Sequence, residues 1–135
     1  MRALCLGCSP SSITAVREIL SNLWPGADVD EAEDLVTGFG YLVWTPPDVV
    51  FVANDSSWSP SLAEAIGEVR SNALGHPLVA LVGAYGDAEM VRISALDAGA
   101  DDCIEKTESP DRAEAKVLAV VRRTQRLQAA FRQAS

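Results

Sequence analysis

The sequence lacks what several broad protein classes require. No apolar run in its 135 residues approaches the ~20 that a transmembrane helix needs, which excludes a helical membrane span. The opening residues, Met1 to Cys8, are too short for the apolar core of a secretory signal and lead straight into a helix signal. There is no basic excess: 11 Lys and Arg stand against 19 Asp and Glu, for a net charge of −8. An acidic domain repels phosphate backbones, which argues against direct nucleic-acid binding. Internal repeats and low-complexity segments are absent. The three cysteines are odd in number and without metal-ligand spacing, so they read as reduced thiols of a cytoplasmic protein holding no metal or other cofactor. What is present is ordinary: 48% hydrophobic and 22% charged residues, enough for one domain to bury a core without staples.

The chain is organised around Pro47 to Asp55 (Pro-Asp-Val-Val-Phe-Val-Ala-Asn-Asp). An apolar run between a Pro and a polar cluster fits a short strand buried on both faces of a parallel sheet. Chemistry in open α/β sheets sits at the carboxyl ends of such strands. The residue there is Ala53, which has no reactive group.

Around it, strands and helices alternate. Arg2–Leu6 reads as a first strand. Ser9-Pro10 gives an N-cap and an N1 proline, and Ile13, Val16, Leu20 and Leu23 mark one face of the first helix. Pro25-Gly26 stops it before a weak second strand, Ala27–Ala32. Leu35–Thr45 is then expected as a helix despite Gly38 and Gly40, each unfavourable by roughly 1 kcal/mol relative to Ala. Ser59-Pro60 caps a third helix with Leu62, Ile66 and Val69 on its buried face, and Pro77–Val82 forms a fourth strand. Gly86-Asp87 opens a fourth helix bearing Met90, Ile93 and Leu96, which Gly99 ends. Cys103-Ile104 is a brief fifth strand, and Ser109-Pro110 caps a long last helix. Such alternation implies an α/β fold, a parallel sheet with helices on both faces and right-handed crossovers.

In this order the residues resemble the receiver domain of bacterial two-component response regulators over about residues 2 to 124. Gly99-Ala100-Asp101-Asp102-Cys103-Ile104-Glu105-Lys106 is similar to the family's fifth-strand signature. Pro47–Val52 and His76–Leu81 are similar to its third and fourth strands. The resemblance implies a flavodoxin-like, doubly wound (βα)5 fold with strand order 2-1-3-4-5. It also implies a phosphorylation pocket, whose positions here are altered. The acidic pair that binds Mg²⁺ falls on Gly7 and Cys8, the phospho-accepting Asp on Ala53, and the hydroxyl on Val82 or Gly83. Only Lys106 is retained, followed by Thr107 in place of Pro. The expectation is therefore a pseudo-receiver: a non-catalytic signalling module that works by protein contact without Asp phosphorylation.

Two alternatives stand beside it. Asp55, two residues beyond Ala53, is the nearest carboxylate for a working phosphorylation switch. More distantly, the Cys5–Ser11 loop before a helix N-terminus invites a cysteine phosphoryl-transfer enzyme using Cys5, although position 11 is Ser where that chemistry uses Arg. Lys106 either pairs with Asp55 or is a half-exposed lysine at a strand end. Cys8 either senses redox state or fills space left by an Asp; Cys5 and Cys103 read as packing.

Partner surfaces are expected on two helices. Phe39, Tyr41, Val43 and Trp44 either form an exposed contact patch, which Trp58 could extend, or fold inward around the two glycines of an irregular helix. Ala113, Val117, Val120, Thr124, Leu127 and Phe131 form a stripe on the last helix, which spans ~36 Å from Pro110 to Gln133 at about 1.5 Å per residue. Beyond the sheet, Leu127 and Phe131 suit a short coiled coil, hence a homodimer, or lead into an attached output domain. Residues 125–135 read as an extension of a domain spanning 1–124, with the chain the front of a longer protein.

Overall fold

A computed structural model describes residues 1–55, 61–72, 76–83 and 88–134. The expected N-cap at Ser59-Pro60, the Gly86-Asp87 helix start and Trp58 lie outside them. Five strands, β1 (Arg2–Leu6), β2 (Asp28–Ala32), β3 (Val49–Val52), β4 (Leu78–Val82) and β5 (Asp102–Glu105), alternate with five helices. The helices are α1 (Pro10–Leu23), α2 (Leu35–Trp44), α3 (Leu62–Asn72), α4 (Ala88–Ala98) and α5 (Pro110–Ala134). All strand pairings are parallel, in the order β2-β1-β3-β4-β5. This is the flavodoxin-like arrangement expected from the sequence.

The sheet separates two cores. One holds Leu4, Leu6, Val50, Val52, Leu78 and Ala80 against α2, α3 and α4; the other holds Ala3, Cys5, Phe51, Val79 and Leu81 against α1 and α5. Alternate residues of each strand therefore serve opposite layers, and both sets must be apolar. Phe51, Leu4 and Leu6 are fully buried, each worth about 1.5–3 kcal/mol relative to exposure.

Helix termini follow the sequence signals. Ser9 caps α1 by accepting the Ser12 N–H at 3.3 Å, with Pro10 at the first helical position. Asp34 caps α2 by accepting the Thr37 N–H at 2.7 Å, a bond that holds its carboxyl below the usual carboxylate range. Gly99, at φ +123°, ends α4. The Ala100 N–H bonds Ala95 O and the Gly99 N–H bonds Leu96 O, the pairing of a left-handed helix cap. Arg70 from α3 clamps this corner, donating to the carbonyls of Gly99 and His76 and to the Asp101 carboxylate.

On α1 the expected face holds, with Val16 and Leu20 buried and Ile13 and Leu23 half-buried against the same core, and Ser12 and Ile19 are buried as well. Other expectations need correction. Helix α2 is one continuous α-helix rather than an irregular one, and Gly38 sits where it faces the Leu6 side chain and a Cβ would collide with it. Phe39 and Tyr41 are half-buried against the core, so only Val43 and Trp44 of the expected patch are exposed, joined by Val36. On α4, Met90, Ile93 and Leu96 are exposed, and among its described side chains Ala95 is the one that is buried.

Candidate functional site at the strand ends

The carboxyl ends of β1, β3 and β5 converge on one carboxylate. Gly7, in the left-handed region at φ +65°, turns the chain out of β1. Its carbonyl accepts the Asp55 N–H at 3.0 Å, while the Ala53 N–H bonds Leu6 O at 2.9 Å. These two bonds extend the β1–β3 ladder past the strand and aim the Asp55 side chain at the start of α1. There one oxygen, Oδ2, accepts the Ser12 hydroxyl at 2.6 Å and the Ser9 N–H at 3.2 Å. The other, Oδ1, accepts the Lys106 ammonium at the end of β5. A carboxylate at a helix N-terminus is favoured by the unpaired N–H groups and the dipole. The Asp55 side chain is 9% exposed and that of Lys106 37%. Partial burial pulls the Lys106 ammonium below the ordinary lysine value, with Cys8 acting in the opposite sense.

The structure brings Gly7, Cys8, Ala53 and Lys106 to this edge. Ala53 is completely buried, its methyl in the α1/α5 core. Val82 turns the other way, into the core under α3, while Gly83 is exposed. Beside the carboxylate lies an open cleft of about 560 Å³, walled by Asn54, Leu62, Gly83, Met90, Val91 and Lys106.

No protein-family model matches the sequence, and no curated protein matches it. Solved structures do. The NtrX structure from Brucella abortus aligns over 99% of this chain at 21% identity and a TM-score of 0.79, although the chain spans only 29% of NtrX. The receiver domain of a Francisella response regulator matches 91% of this chain and 98% of its own length, at 18% identity and a TM-score of 0.68. A two-component response regulator from Clostridium difficile matches 91% of this chain and 97% of its own length, at 19% identity and a TM-score of 0.69. The fold is that of a response-regulator receiver domain.

Within the receiver fold, the residues here do not fit a Mg²⁺ ion. The positions after β1 carry Gly7 and Cys8, and both oxygens of the nearby carboxylate, Asp55, already accept hydrogen bonds from the protein. Mg²⁺ requires near-octahedral oxygen ligands. Among the described residues, no three His, Cys, Asp or Glu are grouped to hold a metal.

Burial weighs against the cysteine-enzyme alternative. Cys5 is 1% exposed, and its thiol is pushed far above its ordinary value by a side-chain hydrogen bond with Cys8, by burial and by charge on Cys8. Burial closes Cys5 to a phosphoryl substrate arriving from solvent, and its raised value leaves too little thiolate for a first attack.

Sequence reading missed Ser9 and Ser12 as partners of Asp55, because their pairing depends on how α1 docks. On the partner surfaces, Val43 and Trp44 are 68% and 85% exposed, and Leu127 and Phe131 are 62% and 82% exposed. Helix α5 runs unbroken through residues 124 and 125. Among the described residues, no helix is long and apolar enough to cross a membrane.

Proposed function

We propose that this chain is a non-catalytic signalling module of a bacterial two-component or phosphorelay-type protein. It acts in the cytoplasm by protein contact, without Asp phosphorylation. The observation that carries this reading is the Asp55 carboxylate bound by Lys106, Ser9 and Ser12 beside a buried Ala53. The protein's own anion occupies the donors that an incoming phosphoryl group would need. Residues 1–124 form the receiver-like unit, with 125–135 an extension. The exposed Val43 and Trp44 on α2, and Leu127 and Phe131 on α5, support contact with a protein partner or an attached output domain, and α5 supports a homodimer. Neither nucleic acid nor membrane is a direct partner.

A second reading draws on the same carboxylate: Asp55 contacts Lys106 and is the phosphorylated residue. An amide NMR titration with Mg²⁺ and beryllofluoride separates the two. The proposal expects no saturable shifts at Gly7, Asp55 or Lys106. Saturable shifts centred on Asp55 establish the phosphorylated switch instead.

A further inference from the structure

Cys5 and Cys8 are separated by two residues, and Gly7 between them bends the chain as it leaves β1. Both cysteines line one hollow between α1 and the end of β2, with Thr14, Arg17 and Glu31 on its walls. Cys8 packs against the core cluster that contains Cys5, and its thiol also donates to Leu6 O at 3.6 Å. The two sites are unequal: Cys5 is 1% exposed, whereas Cys8 is half-buried and open to solvent. An accessible attacking thiol above a sheltered resolving thiol, two residues apart before a helix, is the arrangement that thiol–disulfide exchange uses.

We propose that Cys5 and Cys8 are a redox-active dithiol, oxidised by a low-molecular-weight disulfide to an intramolecular disulfide that alters the Asp55 site. The Cys8 thiolate attacks one sulfur of the disulfide RSSR, forming a mixed disulfide and releasing one thiolate, which takes a proton as RSH. The Cys5 thiol then gives up its proton and attacks the Cys8 sulfur, breaking the mixed disulfide and releasing the second RSH. Overall the dithiol loses two electrons and two protons, and RSSR becomes two RSH. The new bond removes the thiol hydrogen that Cys8 donates to Leu6 O and ties β1 to the residue after the turn at Gly7. That turn carries the carbonyl bonded to the Asp55 N–H and precedes the Ser9 N–H bonded to its carboxylate. Redox state is thereby read out at Asp55 and Lys106.

The test equilibrates the full chain in buffers of graded reduced and oxidised glutathione, alkylates the free thiols, and weighs the tryptic peptide of residues 3–17, which holds both cysteines. Oxidation is expected to remove the mass of two hydrogens from this peptide, block its alkylation, and leave Cys103 as the remaining free thiol. Cys8→Ser abolishes the reaction, and Cys5→Ser leaves a glutathione adduct on Cys8. Because Cys5 is a core residue, the Cys8→Ser arm and the wild-type mass stand on their own if Cys5→Ser does not fold. A wild-type glutathione adduct at Cys8 with Cys5 still open to alkylation overturns the proposal, as do two free thiols in the most oxidising buffer. Amide shifts at Ser9, Asp55 and Lys106 on oxidation are expected; their absence overturns the link to the site.

Discussion

The Lys106 ammonium at the end of β5 binds the Asp55 carboxylate beyond the end of β3, across 51 positions of sequence. The pair spans the sheet edge where a receiver fold concentrates its chemistry. With Ser9 and Ser12 on the second oxygen, it ties three chain segments together, making the edge a structural clasp.

This clasp predicts a measurable coupling energy. Asp55→Asn, Lys106→Met and the double variant form a thermodynamic cycle. Asp55→Asn should be the more destabilising single change, since it disturbs three bonds rather than one. Charge-assisted bonds contribute about 1.5–3 kcal/mol, but Lys106 is 37% exposed, so solvent screening brings the expected coupling to about 1 kcal/mol. Urea unfolding measures it, and additive single effects would mean that the pair contributes nothing.

Two glycines on α2 should respond in opposite directions. A Cβ at Gly40 meets nothing within 4 Å, so Gly40→Ala is expected to stabilise by roughly 1 kcal/mol through helix propensity. At Gly38 the new methyl overlaps the end of the Leu6 side chain, which is fully buried and must shift to admit it. Overpacking of that kind costs about 1–3 kcal/mol, so Gly38→Ala should destabilise despite the same propensity gain. Thermal melts of the two variants decide it; equal Tm shifts would contradict the packing of α2 on β1.

Stability should fall at alkaline pH in part through Cys103. Burial, and then the nearby Asp102 charge, push this thiol from an ordinary 9.0 up to about 11. The folded state therefore favours the neutral thiol. Its contribution is complete below pH 9 and is lost as pH rises through about 11. Cys103→Ala should flatten this part of the profile when urea midpoints are followed across that range, whereas parallel profiles for the two proteins would exclude the effect.

Arg70→Lys should not be a conservative change. The guanidinium reaches Gly99 O at 2.9 and 2.6 Å, His76 O at 2.9 Å and Asp101 at 3.0 Å, a planar set that an ammonium cannot reproduce. The expected loss is about 1–3 kcal/mol, with amide shifts at Gly99 and Leu78, because the same Asp101 oxygen accepts the Leu78 N–H. A melt unchanged from the wild type would reduce Arg70 to a surface residue.

The sequence by itself determined the alternation of strands and helices, the Ser9-Pro10 start of α1 and the Gly99 stop of α4. Each of these depends on residues within a turn or two of one another. It also determined that no carboxylate stands at positions 7, 8 or 53. Only the tertiary structure decided that Asp55 turns back to Lys106, Ser9 and Ser12, since those partners lie 43 to 51 positions away and meet through the parallel register. The same holds for α2, where apolar content alone did not separate the inward Phe39 and Tyr41 from the outward Val43 and Trp44. The close approach of Gly38 to Leu6 fixes the helix rotation, and rotation selects the faces. Local chemistry wrote the elements; their packing chose which side chains meet.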